Sequence, residues 1–194
     1  LPVHFDDPEF RQDALRSIGN TAWRIDEMIQ RLSALRRQPE PRRVASDLNR
    51  LVSEALARLP AVPGVEVVQD LQPLPPVMVD PEQLQSVVTN FVMNAREAVA
   101  AAGRAAGQGR VEVTTVQRGD RIVLAVSDNG CGMSPAFVRD SLFRPFQSTK
   151  SKGLGIGMFQ SKMIVEAHGG AIQVESEAGA GTRFRVSLPA GDAR

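Results

Sequence analysis

Two asparagines stand four residues apart within a stretch that predicts a long helix. Asn90 and Asn94 would therefore share one face of that helix. Asn is a poor helix former, and its amide oxygen is a neutral ligand that suits Mg²⁺, a cation that prefers oxygen and keeps most of its waters. The pair therefore indicates a magnesium site, or else two polar side chains that face solvent.

A carboxylate followed by two glycines comes directly after a predicted strand, at residues 128–132. Asp128 at a strand end can accept a hydrogen bond from an exocyclic amine, and Gly130 and Gly132 would let a flat ring approach the backbone. The same residue types are also common in an ordinary turn. Cys131 has no His near it in the sequence, which favours a small packing residue over a nucleophile.

Cations and further glycines follow, after a segment in which two phenylalanines could anchor the chain. Lys150 and Lys152 stand where anionic phosphates could be met. Alternating glycines then open a predicted helix and would expose backbone N–H groups to an anion: Gly153, Gly155 and Gly157. No Gly-Lys-Ser/Thr follows them and no strand precedes them, so the pattern is neither a P-loop nor a Rossmann fingerprint.

Composition excludes several classes of protein. The 194 residues carry 23 Lys and Arg against 22 Asp and Glu, a net charge of +1 that gives no electrostatic case for binding nucleic acid. No apolar run reaches the roughly 20 residues of a membrane-spanning helix, and no signal peptide is recognisable. One cysteine excludes an internal disulfide and fits a reducing compartment, and one cysteine with two histidines argues against zinc. We expect a cytoplasmic fragment without direct membrane contact, from a parent protein that a membrane segment could anchor.

The elements that must position these residues are helices set between antiparallel strand pairs. Caps, turn residues and periodicity predict helices over 8–37, 44–59, 81–102 and 156–168, strands over 65–70, 110–117, 121–128, 171–177 and 181–188, and a loop over 129–155. This order predicts an α+β fold, a two-layer α/β sandwich with one mixed sheet and a helical layer on one face.

The first predicted helix carries a heptad-like apolar stripe from Ala14 to Leu35, which one helix cannot bury alone. It could pack on its own domain, but we favour a partner helix in another chain or in an absent segment, because the next helix is shorter. The stretch QPEPRR then predicts a linker. The expected organisation is a helical region over 1–37, a linker over 38–43, a domain over 44–190 and a tail over 191–194.

Four segments are thus singled out: the asparagine pair, residues 128–132, the segment with two phenylalanines that ends at Lys150, and the alternating glycines from Gly153 to Gly157. In this order and spacing, they resemble the N, G1, F and G2 boxes of the ATP-binding domain of sensor histidine kinases. That domain belongs to the GHKL family, which also holds Hsp90, DNA gyrase and MutL. Further matches are His168-Gly169-Gly170 and Gly181-Thr182-Arg183-Phe184, so the resemblance covers about residues 44–190. It implies the Bergerat ATP-binding fold. The upstream segment resembles the second helix of the dimerisation hairpin in such kinases, and the chain is most similar to the sensor kinases of PEP-CTERM export systems.

The resemblance implies ATP and Mg²⁺ as cofactors and a role for each matching residue. Asn94 would ligate Mg²⁺, and Asn90 would assist near the phosphates. Asp128 would accept a hydrogen bond from the adenine amino group, and Thr182 would help to form the adenine pocket through water. Gly130 and Gly132 would give the ring access to the backbone, and the phosphate-facing lid hinge would be formed by Gly153, Gly155 and Gly157. Lys150 resembles the Lys that ends the F box, and with Lys152 it would bind the phosphates.

Two positions bear on the choice between a kinase, a hydrolytic GHKL-type ATPase and a non-catalytic nucleotide-binding module. Hydrolytic relatives place a Glu four residues before the metal Asn as the base that activates water. Here that residue is Asn90, which cannot take up a proton at neutral pH, so transfer to a protein side chain is favoured. Kinases of the family often carry Lys or Arg three residues after the second Asn. Here that residue is Glu97, so Lys150, Lys152 or the metal must meet the phosphate charge.

No histidine matches the family's phosphoacceptor motif. His4 is interpreted as part of a leader, and His168, at a helix end, as structural. We therefore expect a fragment that cannot phosphorylate itself, from a parent that forms a homodimer through its dimerisation helices and acts on a response regulator. The segment from Met133 to Lys152 is expected to be mobile without nucleotide, because it is long and lacks a hydrophobic pattern.

Overall fold

The computed structural model describes residues 40–103, 107–148 and 155–191, all within the compact unit that spans residues 38–194. The predicted helix over 8–37 and the first two residues of the predicted linker lie outside the described residues. The helices are α1 Leu48–Ala57, α2 Pro81–Ala101, α3 Pro135–Asp140 and α4 Gly157–Ala167. The strands are β1 Val44–Ser46, β2 Val65–Leu71, β3 Val77–Val79, β4 Gly109–Arg118, β5 Arg121–Asp128, β6 Ala171–Glu177 and β7 Gly181–Pro189.

Five of these strands form one mixed sheet in the order β2-β4-β5-β7-β6. The β2 and β4 strands pair in parallel, and the remaining neighbours pair antiparallel. The β1 and β3 strands form a separate two-stranded antiparallel sheet. The predicted α+β sandwich with a mixed sheet is therefore confirmed.

Alternation along the central strands turns one face of the large sheet toward the helices. Buried and more exposed residues alternate along β4 and β7, and the buried set from both strands joins the core with the apolar faces of α1 and α2. Phe91 of α2 stacks on Phe184 of β7 with ring centroids 4.9 Å apart. Polar contacts of α1 with the sheet are hydrogen bonds from Thr115 to Asn49 and from Ser53 to Gln69. The core thus fixes α2, which carries the asparagine pair, across the middle of the sheet.

Two predicted elements are corrected. The helix expected over 44–59 begins only at Leu48, because Asp47 caps it by accepting a hydrogen bond from the N–H of Arg50. The three residues before Asp47 form β1, which pairs with β3. The loop expected over 129–155 contains α3, which Ser134 caps and Pro135 opens.

Asp80 joins the start of α2 to the end of α4 and to the predicted linker. Its carboxylate accepts hydrogen bonds from the N–H groups of Gln83 and Arg42, and its own N–H donates to Nε2 of His168 at 2.9 Å. The other ring nitrogen of His168 lies 2.7 Å from the carbonyl oxygen of Ile164. His168 is buried with both ring nitrogens engaged, as a structural role requires. Arg43 hydrogen-bonds the carbonyl of Ala167 beside it.

Replacement of Asp80 by Ala is expected to lower the free energy of unfolding by about 1 kcal/mol at neutral pH. Burial raises the pKa of the Asp80 carboxyl, but hydrogen bonds from the N–H groups of Gln83 and Arg42 outweigh it and hold the pKa below its ordinary value. A lowered carboxyl pKa stabilises the fold fully above the unfolded value of about 3.9, and this stabilisation is lost as the pH falls through the lower folded value. Urea unfolding from pH 7 down to pH 3 measures the difference in the free energy of unfolding between the wild type and Asp80→Ala.

Asp80→Asn keeps a capping side chain without the charge, so its difference from Asp80→Ala should not shrink with acid. A deficit for Asp80→Ala that stays constant down to pH 3 would contradict the role of the charge.

Candidate functional site

The end of β5 and the start of β7 bring a carboxylate and a buried hydroxyl side by side. Asp128 and Thr182 are paired residues of these antiparallel strands and lie on the face that the helices cover. Asp128 Oδ1 accepts a hydrogen bond from the N–H of Gly130 at 2.8 Å, which holds the plane of the carboxylate. Thr182 is buried, and its hydroxyl lies 2.9 Å from that of Ser176. The sheet therefore offers one charged acceptor and one neutral hydroxyl side by side, where β5 ends and β7 begins.

The loop after Asp128 lies against two other elements, and both contacts require glycine. A Cβ at Gly130 would stand 2.5 Å from the carbonyl carbon of Ala98 on α2. Gly132 has φ +62°, and its Cβ would stand 1.9 Å from the carbonyl oxygen of Glu177. These glycines are thus explained by close backbone packing, whereas their expected role of admitting a ring stays a prediction. Cys131 is exposed, so the expectation that it is a small packing residue is wrong.

The amides of Asn90 and Asn94 face α4. Asn90 Nδ2 donates to Ser161 Oγ at 2.9 Å and lies 3.6 Å from Met158 Sδ. Asn94 Nδ2 lies 3.3 Å from Asn90 Oδ1 and 3.4 Å from Met158 Sδ. The alternative of two side chains that merely face solvent is therefore wrong, because both amides belong to a polar cluster between two helices. The spacing of the pair predicted the shared face, but no motif pointed to Met158 or Ser161.

Gly157 opens α4 directly against this cluster. A Cβ there would stand 2.2 Å from Asn90 Oδ1 and 2.9 Å from Asn90 Cγ. Its absence lets the two helices approach closely, while the expected part of Gly157 in a lid hinge stays a prediction. Gly130 touches α2 at Ala98, one helical turn beyond Asn94. The carboxylate loop therefore contacts α2 one turn beyond the asparagine pair.

The glycine segment before α4 is only partly described. Gly155 has φ +67°, its carbonyl accepts a hydrogen bond from the N–H of Phe146 at 3.0 Å, and its Cβ would stand 2.5 Å from the carbonyl oxygen of Gln147. Phe146 itself has φ 65°, a conformation that is costly for an aromatic residue. The two ends of the intervening stretch are thus held together. The predicted site residues Lys150, Lys152 and Gly153 lie outside the described residues.

The segment from Met133 to Ser148 is better anchored than its sequence suggested. It contains α3, buries Leu142, and packs Phe143 against the core. Lys162 of α4 lies over the Phe143 ring, 5.5 Å from its centroid. The expectation that the whole segment lacks a hydrophobic pattern is therefore wrong, because its apolar residues follow the spacing of α3 and of a turn rather than of one long element. Its mobility without nucleotide stays a prediction.

Arg96 precedes Glu97, the residue found where kinases of the family often carry Lys or Arg. The side chain of Arg96 is directed away from the asparagine pair. Arg96 is buried, and its Nη1 donates to the carbonyl oxygen of Pro60 at 2.6 Å. Glu97 is exposed. The helical period accounts for this, because residue 96 lies on the opposite side of α2 from residue 94. The described part of α2 therefore brings no cation to the asparagine face.

The donor set fits Mg²⁺ held mainly by a substrate. Within the described residues no group of three or more His, Cys, Asp or Glu side chains could hold a metal ion. Mg²⁺ commonly takes one or two protein oxygens and completes its shell with phosphate oxygens and water. An Asn94 amide oxygen agrees with that chemistry.

Across residues 40–103, 107–148 and 155–191, no helix is long and apolar enough to cross a bilayer.

Comparisons with known proteins agree with this geometry. A family model described as histidine kinase-, DNA gyrase B- and HSP90-like ATPase matches residues 79–192. The sensor protein FixL of Bradyrhizobium diazoefficiens is 35% identical over 185 residues, which cover 93% of this chain and 36% of FixL. The signal transduction histidine-protein kinase AtoS of Escherichia coli is 31% identical over 194 residues, which cover 97% of this chain and 29% of AtoS. The chain thus spans about a third of the length of these curated relatives.

A solved structure supports the same assignment. The mycobacterial sensor histidine kinase MprB superposes with a TM-score of 0.65 at 26% sequence identity, and the match covers 76% of this chain and 97% of that one. The family model alone matches more than half of the 194 residues. The chain therefore belongs to the histidine kinase-, DNA gyrase B- and HSP90-like ATPase family, as a catalytic ATP-binding domain of the sensor histidine kinase type.

Proposed function

We propose that this chain binds ATP with Mg²⁺ and, within its parent protein, transfers the γ-phosphoryl group to a histidine on a dimerisation helix. The observation that carries this proposal is the state of Asn90. Its amide is bound into the cluster with Asn94 and Ser161, and an amide cannot accept a proton from water at neutral pH. The position from which hydrolytic relatives activate water therefore holds a group that can orient but cannot act as a base.

The site residues divide between the two ends of the nucleotide. Asp128 accepts a hydrogen bond from the adenine amino group, and Thr182 lies beside it. Gly130 and Gly132 shape the loop that follows Asp128. Asn94 offers its amide oxygen to Mg²⁺. Bound Mg²⁺ supplies charge neutralisation and alignment of the phosphates. The remaining phosphate charge falls to Lys150 and Lys152, with backbone N–H groups contributed by Gly153, Gly155 and Gly157.

The supporting geometry is the succession of contacts along α2, from the asparagine pair to Ala98. Gly130 contacts Ala98, one turn beyond Asn94, so a base at the sheet edge and a phosphate chain along α2 fit one extended ligand. Phosphoryl transfer requires mainly positioning and electrostatic stabilisation, which an amide, a metal and two lysines can provide. We infer that the parent works in two-component signalling, as a homodimer with a response regulator as partner. The use of ATP and the single cysteine of this chain suit the cytoplasm. The PEP-CTERM subtype and the division into residues 1–37, 38–43, 44–190 and 191–194 stay predictions.

Incubation with γ-labelled ATP, Mg²⁺ and a separate protein that carries the dimerisation helix with its histidine tests this function. Label on the acceptor histidine is the expected result, and Asn94→Ala is expected to remove most of it. Phosphate release that does not depend on the acceptor would favour the hydrolytic ATPase. Nucleotide binding with neither outcome would favour a non-catalytic binding module. The chain alone is expected to carry no label.

A further inference from the structure

The two asparagines of α2 are oriented by two side chains of α4. Met158 offers a thioether sulfur, which can only accept hydrogen bonds, and Ser161, a residue that is 2% exposed, offers a hydroxyl. Asn90 directs Nδ2 at both of them, at 3.6 Å and 2.9 Å. Asn94 directs Nδ2 at Asn90 Oδ1 and at Met158 Sδ, at 3.3 Å and 3.4 Å. The hydrogen bonds run in one direction, because Asn94 donates to Asn90 and Asn90 donates to Ser161.

This series of hydrogen bonds determines which atom of the Asn94 amide is turned away from α4. The oxygen and nitrogen of an amide lie on opposite sides of Cγ, so an NH₂ group directed at Asn90 and Met158 leaves Oδ1 on the far side. The reverse orientation would set the Asn94 oxygen against another carbonyl oxygen and a sulfur, which are all acceptors. Met158 opposes the joint rotation of both amides, because that rotation would turn each Oδ1 toward a sulfur that can only accept, and Ser161 Oγ holds the Asn90 side chain at 2.9 Å, the shortest distance in the cluster.

We propose that Ser161 is a positioning residue for the metal ligand, acting through Asn90, and that Met158 sets the polarity of both amides. This rests on the proposed role of Asn94 as the ligand of Mg²⁺. In this role both side chains act on the two amides and not on the nucleotide or the metal. The α4 helix begins at Gly157 and carries both Met158 and Ser161. A shift of this helix would therefore change the contacts that orient the amide oxygen of Asn94.

The test compares the affinity for ADP with Mg²⁺ and with excess chelator, by calorimetry on the whole chain. In the wild type Mg²⁺ should tighten binding. Ser161→Ala should reduce that magnesium-dependent gain by about two- to tenfold, the effect of one hydrogen bond, and leave the affinity in chelator unchanged. Ser161→Thr, which keeps the hydroxyl, should retain most of the gain.

A second variant keeps the proposal testable if Ser161→Ala folds poorly. Met158→Leu removes the sulfur acceptor at similar volume and should also reduce the magnesium-dependent gain, whereas Met163→Leu on the same helix should not. Equal losses with metal and with chelator would mean that Ser161 is merely structural and would overturn the proposal. An unchanged gain in both variants would overturn it while leaving the nucleotide site intact. A wild type that binds ADP without any magnesium gain would overturn the metal role of Asn94 and this proposal together.

Discussion

Asp128→Asn is expected to weaken ATP binding by about 10- to 100-fold while leaving the fold intact. The carboxylate already accepts the N–H of Gly130 at 2.8 Å, and each carboxylate oxygen can accept more than one hydrogen bond. An amide would direct its NH₂ group at either the Gly130 N–H or the adenine amino group, so one donor would face another. The loss of a charge-assisted hydrogen bond in a partly buried site has this magnitude. Calorimetric titration with ATP and Mg²⁺ measures it.

Asp120→Asn provides the matched control for this variant. Asp120 is exposed in the turn at the other end of the same hairpin, and the contact it makes is through its backbone oxygen, which accepts from the N–H of Ala190 at 2.8 Å. The substitution keeps that contact, so ATP affinity should be unchanged. Wild-type affinity in Asp128→Asn would refute the assignment of the adenine end of the site.

Gly132→Ala is expected to lower the free energy of unfolding by about 2–5 kcal/mol and to weaken ATP binding by about tenfold or more. The residue has φ +62°, and the new Cβ would stand 1.9 Å from the carbonyl oxygen of Glu177. Backbone must therefore move, either in the loop or in the β6–β7 turn. The turn leads into Thr182, and the loop is bound to it through the hydrogen bond from the N–H of Gly179 to the carbonyl of Cys131. The displacement thus separates the two sides of the adenine end.

Gly119→Ala separates conformational strain from this collision. Gly119 has the same φ of +62°, but a Cβ there would meet nothing within 4 Å. We expect a cost of about 1–2 kcal/mol from the left-handed conformation alone and no change in ATP affinity. Urea unfolding and calorimetry on both variants give the comparison. If the two alanine variants lose the same stability, the contact with Glu177 does not explain the glycine at position 132.

Local signals predicted the elements that form from neighbouring residues. The sequence Asp80-Pro81-Glu82 combines a cap, a proline suited to the first helical turn and an acidic residue, and α2 begins there as predicted. The two hairpins followed from alternation around short turns. The β1 strand was missed because three residues have no stability alone and depend on β3, which lies more than thirty residues away. The α3 helix carried a readable signal in Ser134-Pro135, but the loss of regular periodicity over 129–155 led to the prediction of a loop.

The sequence by itself determined the family, the α+β fold and the identity of the residues that recur in four spaced patches, because periodicity and local caps depend on near neighbours. The tertiary structure decided how those residues are held. Only the packing of α4 on α2 brings Ser161 and Met158 to the asparagine pair, and only the backbone approach of Gly132 to Glu177 explains that glycine. Hydrogen-bond direction and steric contact depend on distances of a few tenths of an ångström between distant segments, which residue spacing does not encode.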